Sequence, residues 1–188
     1  MDKSDRIIDG NLVKAFQDGD NKALVSLVKR WHKNFCENAF WIIKDADVAK
    51  DVAQDCWQII MGKIHSLKTP ESFGGWALRI VYNKSIDYVN SNNRKIKALD
   101  DIKKDSDNLQ EVPTAENIEL KEALLRAIQS LPEAQQTVVK LFYVQEYSLK
   151  EIANILSISE GTAKSRLFHA REKLKLILKN KNYKMSQG

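Results

Sequence analysis

The sequence predicts an all-α protein with two small helical domains joined by a flexible acidic linker, the C-terminal domain carrying a helix-turn-helix. Apolar residues recur at helical spacing along most of the chain, and the alternation typical of strands is almost absent. From about residue 90 to residue 117 this periodicity lapses, and Asn, Asp and Ser residues accumulate. We therefore expect domains at residues 1–94 and 119–188, with a linker at 95–118.

The N-terminal domain is predicted to contain four helices. Their expected ranges are 11–18, 23–43, 45–64 and about 73–89. Asp18-Gly19-Asp20 is expected to end the first helix. Thr69, Pro70 and Glu71 favour a helix start, because they supply a capping side chain, a proline at the first helical position and an acid at the positive end of the helix dipole.

The C-terminal domain is predicted to begin with a helix over 119–130. Residues 131–133 start a second helix, which reaches about residue 144, and the helix-turn-helix follows. Ser148 and Glu151 have the spacing of a capping box at its first helix. Three residues after that helix, Ser159 can cap the second one. The predicted inward stripe of the second helix is Ala163, Leu167, Ala170, Leu174 and Ile177. A glycine often occupies the turn position held by Ser157, so a left-handed serine there costs on the order of 1 kcal/mol.

Composition narrows the class of protein. The 188 residues are 43% hydrophobic and 29% charged, which is typical of a soluble globular chain. No apolar run approaches the roughly 20 residues of a membrane span, and the N-terminus lacks a signal-peptide core, so we expect no membrane insertion. Two cysteines, Cys36 and Cys56, do not make a disulfide framework, which favours a cytoplasmic location. His32 and Cys36 are spaced i,i+4 but lack further nearby ligands, so neither a metal site nor a cofactor is predicted.

The net charge of +5 is concentrated near the C-terminus. Residues 120–188 hold 12 basic and 6 acidic side chains, whereas residues 1–89 hold 13 and 12. A helix-turn-helix lays its second helix in the major groove of DNA, where short polar groups and a phenyl ring can reach base edges and cations can hold phosphates. The outward side chains are Ser165, Phe168, His169 and Glu172, flanked by Lys164, Arg171 and Arg166. The pattern alone also fits a basic amphipathic helix with a solvated face.

The predicted helix 45–64 carries a polar face opposite its apolar stripe. Asp51, Gln54, Asp55 and Gln58 fall within about 100° of arc. Two carboxylates and two amides on a rigid helix could dock a basic helical partner, and a merely solvated face is the alternative.

Four segments, in order, resemble the extracytoplasmic-function (ECF) group of bacterial RNA polymerase sigma factors, over about residues 11–178. Residues 51–55 resemble the group's core-binding Asp-x-x-Gln-Glu segment, with Asp55 in place of glutamate. Residues 73–87 resemble the run that melts and reads the minus-ten promoter element, residues 131–133 resemble the opening of the minus-thirty-five domain, and residues 161–171 resemble its recognition helix.

The resemblance implies a non-enzymatic protein whose partners are core RNA polymerase and promoter DNA. It implies that Asp51, Gln54 and Asp55, with Gln58 on the same face, contact the clamp helices of the largest polymerase subunit. The loop 65–72 would shape a pocket for a flipped base. The implied minus-ten residues are His65, Lys68, Asn83, Lys84, Asp87 and Arg94, and the minus-thirty-five residues are Lys164, Ser165, Arg166, Phe168, His169 and Arg171. The free protein is expected to be a monomer, and the group commonly has an anti-sigma factor as a further partner.

Two other classes of protein remain as alternatives. A conventional transcriptional activator or repressor could carry a similar C-terminal helix, but it predicts a ligand-binding or phosphorylated N-terminal domain and usually a dimer. A nucleic-acid-processing enzyme is disfavoured because His32, His65 and His169 are scattered and the sequence shows neither a glycine-rich phosphate loop nor a carboxylate cluster with a plausible metal partner.

Overall fold

The computed structural model describes residues 3–99 and 124–185, and every regular element among them is helical, which confirms the all-α prediction. The helices are α1 Lys3–Gln17, α2 Asn21–Ile43, α3 Ala46–Lys63, α4 Phe73–Leu99, α5 (its described part at 124–129), α6 Glu133–Val139, α7 Leu149–Leu156 and α8 Glu160–Met185. Short 3-10 turns at Ile64–Ser66 and Pro70–Ser72 join α3 to α4, and a π-helical turn at Lys140–Val144 follows α6. None of the described helices is long and apolar enough to cross a membrane.

Local capping explains where α2 and α3 begin. The Asp20 carboxylate accepts a hydrogen bond from the Lys22 backbone N–H, and the Asp45 carboxylate accepts from the N–H groups of residues 47 and 48. At the expected start of α4, Thr69 makes no capping bond through its side chain. Pro70 instead opens a short 3-10 turn, closed by a hydrogen bond of 2.6 Å from the Ser72 hydroxyl to the Thr69 carbonyl, so α4 begins at Phe73.

Two helices are longer than their apolar periodicity predicts. α1 begins at Lys3 rather than at residue 11, and α4 continues to Leu99 rather than ending near residue 89. Residues 95–99 of the predicted linker are therefore helical, whereas residues 100–118 lie outside the described residues. The first part of α1 has exposed isoleucines at positions 7 and 8 and a buried aspartate at position 9, and the last part of α4 is mostly polar, so neither segment shows an inward apolar stripe.

The core of the N-terminal helices is a cluster of aromatic rings. Trp31 contacts Phe35 and Phe73 at centroid distances of 5.8 Å, and Phe35 lies 4.9 Å from Trp57. Trp76 is half-buried and lies 6.1 Å from Phe73, at the edge of this cluster. The rings hold α2, α3 and α4 together and so fix the relative positions of the polar faces on α3 and α4.

The C-terminal helices end in the predicted helix-turn-helix. Ser148 and Glu151 form the expected capping box, Ser157 has φ 55° in the left-handed region, and the Ser159 hydroxyl accepts from the Thr162 N–H at 3.0 Å. Ala163, Leu167 and Ala170 are buried. The inward stripe of α8 fades beyond them, because Leu174 is half-buried and Ile177 is 37% exposed, which corrects the prediction for Ile177.

The two helical units share one continuous hydrophobic core in this structure. Buried residues of α6 to α8 belong to the same cluster as those of α1 to α4, and α4 packs directly on α7. The contact places Tyr147, which is 4% exposed, against the first turn of α4.

Candidate polymerase and promoter interfaces

The helix-turn-helix presents the predicted recognition face of α8 to solvent. Lys164, Ser165, Phe168, His169 and Arg171 are all exposed, whereas Arg166 is half-buried. The Phe168 and His169 rings meet edge to face at 5.5 Å, so the two side chains form one surface feature. Its aromatic and imidazole edges, beside cations, suit contact with base edges and phosphates.

Arg171 is held in place by two aromatic residues that the sequence reasoning missed. Its Nε donates to the Tyr143 hydroxyl at 2.6 Å, and its guanidinium lies 5.4 Å from the ring centroids of Phe142 and Tyr143. Tyr143 is 54% exposed, so its ring also faces solvent beside α8. No signal in the sequence indicated this pairing, because residues 142 and 143 lie on the π-helical turn, 28 or more residues from Arg171.

The start of α7, the first helix of the helix-turn-helix, is fixed by the charged side chain of Glu151. Burial raises the pKa of Glu151. The hydrogen bonds from Ser148 and from Arg6 lower it by more than burial raises it, so this pKa lies below its ordinary value. Glu151 stays ionised and accepts from both the backbone N–H and the hydroxyl of Ser148, at 2.9 and 2.8 Å. The capping box therefore sets where α7 begins and how the turn is presented.

The polar face of α3 lies in solvent as predicted. Asp51, Gln54, Asp55 and Gln58 are all exposed, on the side opposite the buried Ala49, Val52, Ala53, Cys56 and Ile60. The Asp55 carboxylate lies 3.6 Å from the Lys84 ammonium of α4. The predicted polymerase face and the predicted minus-ten residues thus meet along the seam between α3 and α4.

The loop between α3 and α4 is held by α1, a role that the sequence reasoning did not assign. The Gln17 side-chain amide donates to the carbonyls of Ile64 and Leu67, at 2.7 and 3.2 Å, and the Lys14 ammonium lies 2.9 Å from the Glu71 carboxylate. Gly10 packs against Glu71, where an added Cβ would lie 3.0–3.3 Å from its atoms. These three α1 residues lie three to four positions apart, which is the only hint that the sequence offers.

The predicted minus-ten residues lie along a strip that runs from the loop onto α4. His65 and Lys68 are exposed on the loop, with the His65 ring 5.4 Å from Phe16 of α1. Asn83, Asp87 and Arg94 are exposed within about 40° of one another on α4, and they lie about 15 to 32 Å along the helix axis from Phe73. The structure therefore does not gather the whole set, but the length of the strip suits an extended nucleic-acid strand.

The described residues hold no metal-binding cluster of three or more His, Cys, Asp or Glu side chains. His32 Nε2 and Cys36 Sγ are 3.6 Å apart, as their spacing predicts. Burial raises the pKa of the Cys56 thiol to about 12, so this cysteine is a packed core residue and not a reactive thiolate.

Comparison with known families assigns both units. Residues 22–95 match sigma-70 region 2 and residues 121–174 match sigma-70 region 4. The ECF RNA polymerase sigma-E factor of Escherichia coli (strain K12) is 30% identical over 179 residues, a match that covers 90% of this chain and 93% of that protein. The chain belongs to the ECF sigma factors of the sigma-70 family, which recognise promoters on behalf of core RNA polymerase.

A second curated relative and two solved structures agree with this assignment. The ECF RNA polymerase sigma-E factor of Haemophilus influenzae is 29% identical, with coverage of 90% of this chain and 94% of that protein. The fold resembles RpoE from Bartonella quintana, solved with the anti-sigma factor NepR, with a TM-score of 0.69, 20% identity and coverage of 84% and 98% of the two chains. It also resembles CnrH, solved with the cytosolic domain of CnrY, with a TM-score of 0.62, 20% identity and coverage of 92% and 98%.

Proposed function

We propose that the exposed face of α3 is the surface through which this sigma factor binds core polymerase, with Asp51, Gln54, Asp55 and Gln58 as the contacting residues. The observation that carries the proposal is the continuity of this face with Lys84 of α4 through Asp55. A clamp helix bound to α3 would place the strip of proposed minus-ten residues on α4 beside the polymerase. Charges paired across an interface give both register and affinity.

The two units divide the promoter between them. Residues 1–94 hold and melt the minus-ten element through the loop residues His65 and Lys68 and through the α4 strip. Unstacking a base costs a few kcal/mol, which contacts made only to the melted strand offset. Residues 119–188 read the minus-thirty-five element with Ser165, Phe168 and His169 in the major groove. Asp87 completes the proposed minus-ten contacts on α4. The basic side chains are proposed to contact mainly phosphates: Lys84, Arg94, Lys164, Arg166 and Arg171.

The proposed protein has no catalytic activity of its own and works in the cytoplasm, where the polymerase acts. RpoE of Bartonella quintana was solved in complex with the anti-sigma factor NepR. We infer that a protein of that type also regulates this chain.

Charge reversal on α3 tests the polymerase assignment. The exposed Asp55–Lys84 pair contributes at most about 1 kcal/mol to folding, so Asp51→Lys with Asp55→Lys should leave the fold intact. Core binding should fall by about 2–5 kcal/mol, at least about 30-fold, because two cross-interface charges become repulsive. Asp18→Lys, at an exposed site away from this face, is the control and should bind like the parent. Equal binding by the double variant and the parent would remove α3 from the interface.

A further inference from the structure

One glutamine of α1 holds the backbone at the start of the loop between α3 and α4. The side-chain amide nitrogen of Gln17 donates to the Ile64 carbonyl at 2.7 Å and to the Leu67 carbonyl at 3.2 Å, which engages both of its N–H groups. These carbonyls belong to the peptide units that lead directly into His65 and Lys68, the two proposed minus-ten residues of the loop. Because a peptide unit is planar, fixing its carbonyl also fixes the backbone nitrogen of the next residue. Gln17 therefore restricts the directions in which both side chains leave the loop.

The preceding residue of α1 restrains the His65 ring itself. The ring centroids of Phe16 and His65 are 5.4 Å apart. Phe16 is half-buried, whereas His65 is exposed, so the contact supports the imidazole without removing it from solvent. Consecutive α1 residues thus hold the backbone and the side chain of the same loop residue.

The same face of α1 also holds the far end of the loop. The Lys14 ammonium lies 2.9 Å from the Glu71 carboxylate, and a Cβ at Gly10 would lie 3.0–3.3 Å from three Glu71 atoms, two of which are backbone atoms. Gly10, Lys14 and Gln17 lie within about 60° of arc on the helix. One face of α1 is therefore attached to the loop at both of its ends.

The loop is open to solvent between these two attachments. Residues 65, 66, 68 and 69 are exposed, whereas Ile64 and Pro70 on either side of them are buried. A loop that is already ordered loses little further conformational entropy when a ligand binds. Selection of one base also requires the contacting groups to be held to within about 0.5 Å by supporting residues. The contacts from α1 supply support of this kind.

We propose that α1 positions the loop for base recognition at the minus-ten element, with Gln17 as the principal positioning residue and Lys14 as a second one. Gln17 acts through the loop backbone, because both N–H groups of its amide are engaged by carbonyls. The ligand whose selection depends on it is a single unpaired base of the melted strand. This inference rests on the proposed minus-ten function of the loop, whereas the attachment of the loop to α1 is a property of the free chain.

Hydrogen exchange of the free full-length chain tests the attachment at Gln17. The Leu67 N–H donates to the Ile64 carbonyl at 3.1 Å, the same oxygen that Gln17 binds. Gln17→Met keeps the length of the side chain and removes both donors, so the Leu67 amide should exchange about 2- to 10-fold faster. Asn11→Met is the matched control, because it replaces an amide by the same thioether at an exposed position of α1, and it should exchange like the parent. Equal exchange in Gln17→Met and the parent would overturn the positioning role.

A charge swap tests the attachment at the other end of the loop. The Ser72 N–H donates to the Thr69 carbonyl at 2.9 Å, beside Glu71. Lys14→Glu brings two carboxylates together and should speed exchange of the Ser72 amide by up to about 5-fold, without unfolding, because the pair is partly exposed. Lys14→Glu combined with Glu71→Lys restores opposite charges and should return exchange toward the parental rate. A combined variant no slower than Lys14→Glu alone would remove Lys14 from the proposal.

Base preference of the complex with core polymerase tests the role in recognition. Each variant is bound with core polymerase to forked DNA whose minus-ten segment is single-stranded, and each base of that segment is replaced in turn by the other three. The parent and Asn11→Met should show the same base preference, and Gln17→Met should lose about 2- to 10-fold of it while core binding is unchanged. A loss of overall stability would weaken binding to all bases alike and would leave the preference intact.

The outcomes separate this inference from the proposed function. If the parent prefers particular bases and Gln17→Met prefers them equally, the positioning role is wrong and the minus-ten function of the loop stands. If the parent shows no base preference although the loop of Gln17→Met exchanges faster, the minus-ten function of the loop is wrong, and the role of Gln17 in recognition is lost with it.

Discussion

Replacing Gly74 or Gly75, which are adjacent in the first turn of α4, with alanine should change the stability of the fold in opposite directions. A Cβ at Gly74 would lie 2.5 and 2.8 Å from two ring carbons of Trp31. That ring cannot retreat, because it packs on Phe35 and Phe73 and its Nε1 donates to the buried Asp9 carboxylate at 3.1 Å. Overpacking of this kind costs about 1–3 kcal/mol, and alanine recovers at most about 1 kcal/mol of helix propensity. Gly74→Ala should therefore lose up to about 2 kcal/mol.

Gly75→Ala meets its nearest atoms at 3.9 and 4.0 Å, so it gains propensity without a clash. Thermal and urea unfolding followed by circular dichroism should separate the two variants, with Gly74→Ala melting several degrees below the parent and Gly75→Ala at or above it, since 1 kcal/mol corresponds to about 2–4 °C at this size. Equal stability of the two variants would refute the inference that Gly74 is required by the close approach of Trp31.

Three further outcomes follow from the assigned surfaces. Asn83→Ala should reduce open-complex formation measured by permanganate footprinting while core binding is unchanged, and pre-melted templates should recover part of the loss. In promoter selection with a randomised minus-thirty-five element, Ser165 and Phe168 substitutions should change the preferred bases, each mismatch costing the parent about 1–3 kcal/mol. Arg171→Ala should instead weaken all promoters alike and reduce the log–log salt slope by about one.

Helix identity and the helix-turn-helix could be predicted because their signals are local. Ser148 with Glu151 and Ser159 with Thr162 act over three residues, so sequence spacing alone specifies their geometry. The polar face of α3 followed from helical periodicity in the same way, and it is exposed as expected.

The structural features that could not be predicted from the sequence depend on contacts between distant segments. Gln17 holds the loop near Ile64 across 47 residues, and Tyr143 holds Arg171 across 28. Neither partner can be read from the sequence, because each pairing joins one polar side chain to a segment brought close only by packing. The contact of Tyr147 with Gly74 belongs to the same class, since a double glycine predicts a close approach without naming the segment that approaches.

Reconstituted transcription tests the central claim most directly. Core polymerase with the parent protein should initiate from defined start sites on fragments of the host genome, and those sites should share sequences near positions minus ten and minus thirty-five. The Asp51→Lys, Asp55→Lys double variant should give no such transcripts, whereas Asp18→Lys should give the parental set. Transcripts from the double variant equal to those from the parent would contradict the polymerase assignment, and the absence of promoter-specific transcripts from the parent would contradict the account as a whole.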